Sequence, residues 1–465
     1  MEIIQETYDM LKKLSKVNFD YFNFVEKNPE GFKRSTFSYL DTGNYSYKIQ
    51  AWPIFISHET REMLRDVSVK ILDLIKCIPV RVFANDYRRM ASYFMVTEDV
   101  MKLQLEGISE DLLANLIGRA DLIVTNDWVK CIEFNVSANC AGWYLPEWES
   151  LNLNAPFNIR FREENGIKVY NENYSELFMD HCIRFASSMA EKGESGDLPE
   201  LNTVLVIKGY NASPDAKNTF LDELRYFYSE KLVSHHLTGN IYIGDYEHIQ
   251  YADNMVYLNG KRIHLVVELL HGVVSAGVMK SFCAGNVKLL NGPVTGLFLN
   301  KFTMAVLSEN EDSSIFTPEE RETIRKHIPW TRKIIPCQTT YKGEKVNLEE
   351  FLISNKNKMV IKSAVGLAGQ QVYIGQGMFN RDWENLVKSS LRKGTLLAQE
   401  LVEAPRSFLQ MGEEGTGYFD TVWGVWILGS QFAGSFVRVL PGGNARKVVN
   451  GGQGAAMGIT LEVDE

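Results

Sequence analysis

The chain contains no CxxC pair and no other cysteine spacing that could serve a metal. Its six cysteines, at 77, 131, 140, 182, 283 and 337, are scattered over 465 residues. That excludes a disulfide framework or zinc site read from spacing and fits reduced thiols. An excess of positive charge is missing too: 49 Lys plus Arg stand against 58 Asp plus Glu, a net charge of -9. A broad electrostatic grip on nucleic acid is therefore not expected, and any bound anion must be held locally. Long hydrophobic runs are also absent. The longest candidate, HLVVELLHGVVSAGVM, contains Glu268 and two histidines and is too short to span a bilayer. The opening MEIIQETYDMLKKLSK is amphipathic with early acids, not the basic start and apolar core of a secretory leader. The expectation is a soluble cytoplasmic protein with neither a nucleic-acid nor a membrane partner and with its oligomeric state open. There is no GxxxxGK(S/T), HExxH or GxSxG, and no GxGxxG between a strand and a helix, so the P-loop, zincin, hydrolase-elbow and Rossmann signatures are lacking. No internal repeat, low-complexity tract or long charge block occurs.

What is present is an ordinary globular composition, 45% hydrophobic and 23% charged, long enough for two or three domains. Residues 1–118 carry apolar positions at helical spacing around Tyr8, Leu11 and Leu14 and from Met63 to Ile75. ADLIVTND and VKCIEFNV then predict a hairpin turned at Asn126-Asp127. KGESGDLPE, residues 192–200, has linker composition. A small α/β pattern follows: TVLVIKGY as a strand, 217–231 as a helix, IYIGD as a strand, and MVYLNGKRIHLVVELL as a hairpin turned at Asn259-Gly260. Near 291 the texture changes again, and Thr317-Pro318-Glu319-Glu320 marks a helix start. Two aromatic strands, TVWGVWIL and QFAGSFVRVL, precede a glycine-rich tail, NGGQGAAMG, and Trp423 and Trp426 are expected in the core. The expected division is 1–195, a helical region with the hairpin; 196–290, the small α/β domain; and 291–465, a nucleotide-holding α+β lobe.

Residues 358–377, KMVIKSAVGLAGQQVYIGQG, concentrate the chemistry. Met359 to Ile361 predict a buried strand, Lys362 ends it, Gly366 and Gly369 free the turn, and Val372 to Ile374 resume a strand. A lysine beside amides left uncovered by small residues suits a polyphosphate. A surface hairpin with a solvated lysine fits that stretch equally. Magnesium would need hard oxygens, and Glu133 and Asn135, two apart on one strand, face one way with Asp121 opposite them across the hairpin. Such a pair also fits a solvated polar face. Cys131 and Val129 are expected to share that face. Arg119 lies on the side of Asp121, where a guanidinium could stabilise an oxyanion or pair with the aspartate. Arg438, amid apolar strand residues, needs a partner if buried. Lys301, opening a helix after Asn300, could be a second phosphate contact or a surface lysine. In Ala398 to Val402, AQELV, backbone groups could meet an adenine edge. The pair His235-His236 is read as a surface pair.

The order Arg119-x-Asp121, Glu133-x-Asn135, Asn300-Lys301, Lys362 before a glycine loop, Gln399-Glu400-Leu401-Val402 and then Arg438 resembles the circularly permuted ATP-grasp ligases of the glutathionylspermidine synthase-like kind. The resemblance spans about residues 100–460. It implies an α+β, circularly permuted ATP-grasp fold with an inserted small α/β domain. It also implies a carboxylate-amine ligase that uses ATP and Mg2+ to form an amide or peptide bond through an acyl phosphate. Asp121, Glu133 and Asn135 would be magnesium ligands, and Lys301 and Lys362 phosphate contacts. Gly366 and Gly369 would lie in the loop over the triphosphate, and Gln399, Glu400 and Val402 at the nucleotide. Arg119 and Arg438 would flank the reacting groups, and Ser137 and Asn139 would hold the carboxylate substrate. Partners would be a small-molecule or peptide carboxylate and an amine. The sequence departs from the family's pattern in Ser363, where proline is usual, in a GLAGQ loop without arginine, and in a longer stretch between the two lysines. The acid and amine therefore stay open. A catalytically silent binding module and an ATP-dependent kinase on the same scaffold are the alternatives.

Overall fold

The computed structural model describes residues 5–34, 39–41, 46–140, 142–192, 198–208, 219–270, 274–366, 371–410, 416–442 and 448–464. It is a mixed α/β fold with several sheets. No helix among the described residues is long and apolar enough to cross a membrane.

In the first part of the chain, helices alternate with a few strands. β1 (Ile54–Ser57) runs into the helix His58–Cys77, whose start is fixed by the Ser57 side chain accepting from the Thr60 amide, satisfying one orphan donor of the first turn. β2 (Ile117–Val124) and β3 (Val129–Val136) form the expected hairpin. In the middle part, β4 (Thr203–Ile207), β5 (Ile241–Gly244), β6 (Leu265–Leu270) and β7 (Lys288–Leu290) make a parallel sheet in the order β7-β6-β4-β5. The expected hairpin turns at Asn259-Gly260, both at positive φ (52° and 75°), as a two-residue turn between twisted strands requires. It closes at Ile263, and β6 leaves it to pair with β4 and β7. Leu265, Val267 and Leu269 are wholly apolar on the side facing the main core, and Val266 packs on the other, so β6 reads as a two-sided buried strand, the mark of a parallel sheet.

In the last part, β8 (Thr331–Lys333), β9 (Met359–Ser363), β10 (Val372–Ile374) and β11 (Leu396–Glu400) form an antiparallel sheet in the order β8-β11-β9-β10. Ile334, Met359, Ile361, Ala398 and Trp383 share a separate core on one of its faces. Lys362 and Gln399 belong to the other face by strand alternation and register. The helix Pro318–His327 begins with the expected reciprocal Thr317–Glu320 capping box.

β12 (Arg406–Gln410), β13 (Thr416–Leu428), β14 (Gln431–Pro441) and β15 (Ala456–Val463) return to the hairpin of β2 and β3. The large sheet runs β1-β15-β14-β13-β2-β3, with β12 also on β13. Trp423 and Trp426 are buried in its core. The glycine-rich tail is not an end in coil. Past Gly454 it becomes β15, parallel to β1 and antiparallel to β14, because AMGITLEV buries almost every side chain between its neighbours. The large sheet thus unites strands more than 300 residues apart, Gly424 facing Asp121, which delivers Arg438 to the hairpin.

Candidate functional site

In the β2–β3 hairpin, Asp121 faces Glu133 and Arg119 faces Asn135. The register then slips: Leu122 faces Cys131, so Ile132 is one extra residue in β3. Such a bulge reverses the inward and outward alternation on either side of it. Cys131 is consequently turned into the core, completely buried. This corrects the expectation that it shares the face of Glu133. The unpaired residue has a second effect. The Lys362 ammonium, reaching across from β9, donates to the Ile132 carbonyl at 3.2 Å.

Lys362 is buried, and its other bond is to Oε1 of Gln399 at 2.7 Å. Gln399 is held in turn, its Nε2 donating to Thr331 Oγ1 at 3.1 Å. Burial pushes the Lys362 ammonium down to about 8, Glu133 opposing that shift and Lys301 adding to it. Lys301 stands at the N-cap of the helix Phe302–Glu309. Its ammonium lies 3.3 Å from Glu133 Oε1 and donates to the Gly366 carbonyl at 2.6 Å, while its amide donates to Ala364 at 2.9 Å. One lysine thus connects the glutamate with the start of the glycine loop. Gly369 lies outside the described residues.

Arg119 and Arg438 share Asp121. Arg119 Nε is 2.9 Å and Arg438 Nη2 is 2.8 Å from Oδ1. Burial pushes the Asp121 carboxyl up, but the two guanidiniums outweigh it and hold the group at about 2. Burial likewise works against the charge on Arg119, and Asp121 reverses that, so Arg119 is held more firmly protonated than usual. Beneath both guanidiniums lies the Phe436 ring, 6.0 Å from Arg119 and 5.4 Å from Arg438, itself stacked on Trp426 at 4.8 Å. The sequence reading missed Phe436. Its signal was available, since it lies two residues before Arg438 on one strand and so on the same face.

The structure therefore brings together Arg119, Asp121, Glu133, Asn135, Lys301, Lys362, Gln399 and Arg438, with the Gly366 carbonyl at the margin. Four cations meet two carboxylates. Arg438 Nε and Asn135 Nδ2 are buried without a hydrogen-bond acceptor among the described residues. Such orphans are costly unless an acceptor arrives. Ser137 and Asn139 follow β3 directly, where the Ser137 hydroxyl accepts from the Asn139 amide at 3.1 Å. Ser137 is buried and Asn139 exposed. The Glu400 side chain points the other way, accepting from the Tyr341 hydroxyl at 2.8 Å, and its amide donates to the Trp330 carbonyl at 2.8 Å. Val402 follows in the irregular stretch after β11.

The donor set answers in part whether magnesium fits. Glu133 and the Asn135 amide are hard oxygen donors on one face, and magnesium keeps waters and phosphate oxygens for its other positions. Asp121 is committed to two guanidiniums instead. Among the described residues no three His, Cys, Asp or Glu side chains converge as a metal site.

Comparison with known proteins gives no match to any family model and none to a curated protein. Among solved structures the chain is similar to a candidate gamma-glutamylcysteine synthetase from Methylobacillus flagellatus KT. The identity is 11%, over 85% of this chain and 87% of that one, with a TM-score of 0.38. It is also similar to D-alanyl-alanine synthetase A from Vibrio cholerae O1, at 11% identity over 53% of this chain and 69% of that one, with a TM-score of 0.28. At these TM-scores the likenesses carry no weight for fold or chemistry.

Proposed function

We propose that the chain is an ATP- and magnesium-dependent carboxylate-amine ligase of the circularly permuted ATP-grasp kind, working through an acyl phosphate. The reading rests on one observation: Lys301 and Lys362 meet Arg119, Asp121, Glu133 and Asn135 of the β2–β3 hairpin and Arg438 of β14 in a largely buried cluster with surplus positive charge and orphaned donors. A polyanion supplies what that cluster lacks. Lys362 and Lys301 would bind the phosphates, and Gln399 would position Lys362 without touching the nucleotide. Backbone groups of Glu400 to Val402 would meet the adenine edge. Glu133 and Asn135 would hold magnesium, whose contribution when bound is to neutralise phosphate charge. Asp121 would hold Arg119 and Arg438 in place, and the two guanidiniums would steady the developing charge on the transferred phosphoryl group. Ser137 and Asn139 would receive the carboxylate. A carboxylate oxygen attacks the γ-phosphorus and ADP leaves. The amine nitrogen then attacks the acyl carbon, phosphate leaves, and the nitrogen gives up a proton.

Incubation with Mg-ATP, hydroxylamine and a panel of amino acids, peptides and polyamines tests this. The expected result is ADP release matched by a hydroxamate that names the acid. Loss of an oxyanion donor typically costs about 10²–10³ in rate, so Arg438→Ala should fall by that order. ADP production undiminished in Lys362→Ala, or phosphate retained on a product, would sink the ligase reading, the second outcome pointing to a kinase.

A further inference from the structure

Away from the cation cluster, an open cleft of about 470 Å³ is lined by Glu149, Arg162, Ile167, Lys168, Tyr170 and Asn171, among others. Small-molecule sites are commonly of this size, about 300–1,000 Å³. Glu149 is 8% exposed, and a buried carboxylate needs a cation or full hydrogen bonding. It receives one bond, from Asn171 Nδ2 to Oε1 at 2.8 Å. Asn171 also serves the fold, since it donates to the Thr460 carbonyl at 2.9 Å and accepts from the Glu462 amide at 2.8 Å. No Lys, Arg or His forms an ion pair with Glu149 among the described residues, and no acid pairs with Arg162 or Lys168 there. Arg162 is held in the lining by donating through Nε to the Asn158 carbonyl at 3.4 Å and through Nη2 to the Leu153 carbonyl, which leaves its charge without a counter-ion. One lining thus holds a carboxyl without a cation and two cations without an acid.

We propose that this cleft binds a small zwitterion of amino-acid or short-peptide size, its ammonium on Glu149 and its carboxylate on Arg162 and Lys168. The Glu149 carboxyl is pushed up to about 7 by burial, Asn171 only partly offsetting it, as suits a carboxylate whose counter-cation has yet to arrive. The site is separate from the ligase cluster and its occupancy requires no nucleotide.

The test is a thermal-shift screen of the full chain without nucleotide, against the twenty amino acids and glycylglycine, followed by calorimetry on the hit. Saturable binding is expected. Glu149→Gln should weaken it at least tenfold, and so should Lys168→Ala, which alters only an exposed side chain. The N-acetylated and the amidated forms of the hit should both fail to bind. Glutamine can still accept from Asn171, and unchanged circular dichroism and melting would show that Glu149→Gln folds. Absence of saturable binding by any probe at millimolar concentration overturns the proposal. So does binding that survives both variants, or binding abolished by Arg438→Ala while Glu149→Gln retains it, which would place the ligand in the ligase cluster.

Discussion

The Lys362→Met variant should be more stable than the parent while losing its response to nucleotide. The Lys362 ammonium sits near 8 against an ordinary 10.5, and a pKa unit is about 1.4 kcal/mol, so keeping it charged in the folded protein at neutral pH costs about 3 kcal/mol. Between those two values the unfolded chain binds more protons than the folded one, so stability rises with pH across that window and the cost is complete below it. Methionine removes the charge but leaves the Gln399 side-chain oxygen and the Ile132 carbonyl without a donor, at about 1 kcal/mol each. The balance is a gain of about 1 kcal/mol without ligand. Urea unfolding at pH 7 and pH 10 measures it, and the advantage should shrink or reverse at the higher pH. The parent should gain about 2.7 kcal/mol from Mg-ATP at a hundred times its Kd, and the variant nothing. A variant less stable by more than about 2 kcal/mol, or one still stabilised by Mg-ATP, would refute the reasoning.

Asp121→Asn should lose about 3–5 kcal/mol by leaving the buried Arg438 and the half-buried Arg119 without their shared anion. The Asp121 carboxyl is lowered from 3.8 to about 2, so its contribution is complete above the unfolded value and disappears as pH falls through the folded one. Acid unfolding followed by fluorescence should therefore weaken in its dependence on pH, and an unchanged acid midpoint would count against the pairing. Glu268, half-buried and accepting from Tyr246 at 2.8 Å, is pushed up by desolvation from 4.5 to about 7. The folded protein keeps that proton longer than the unfolded chain, so stability falls as pH rises through this window. Glu268→Gln should flatten the fall between urea midpoints at pH 5 and 7.5, and an identical slope in both proteins would contradict it. A Cβ on Gly424 would stand 2.0 Å from the Phe436 ring. Gly424→Ala should accordingly cost about 1–3 kcal/mol and, by shifting the ring from under Arg119 and Arg438, lower kcat for ADP release more than it raises KM. A kcat equal to the parent's would show that the ring has no part in placing the guanidiniums.

These predictions draw on features of unequal visibility in the sequence. The β2–β3 pairing of Asp121 with Glu133 followed from two apolar runs and a polar turn, and the Thr317–Glu320 cap from local hydrogen-bond chemistry, because both depend on neighbours in the chain. The bulge at Ile132 had a local signal that went unread: in VKCIEFNV the apolar pair Cys131-Ile132 breaks the alternation between Lys130 and Glu133, although only the partner strand shows that Ile132 is the extra residue. Gln399 read as a nucleotide contact because strand alternation cannot say which distant side chain lies opposite, and the structure gives its oxygen to Lys362. β15 was hidden by its glycine-rich approach, its strand character coming from two neighbours supplied by opposite ends of the chain. Of the surface pair at 235 and 236, His236 is exposed and His235 half-buried: in the turn after one helix, His235 lies 2.8 Å from Asp180 of another, a contact that spacing cannot show.

The extra residue in β3 also says how this gene should tolerate shortening. Removing the codon for Ile132 would make Cys131 and Glu133 consecutive, and consecutive strand residues face opposite ways, as these two already do across the bulge. β3 would then run straight with every remaining side chain on its present face. A codon lost at Lys130 or Phe134 leaves the extra residue in place and turns a flank over. In a scan of single-codon deletions across 117–136, position 132 should therefore stand as a tolerated gap between two troughs in the second strand.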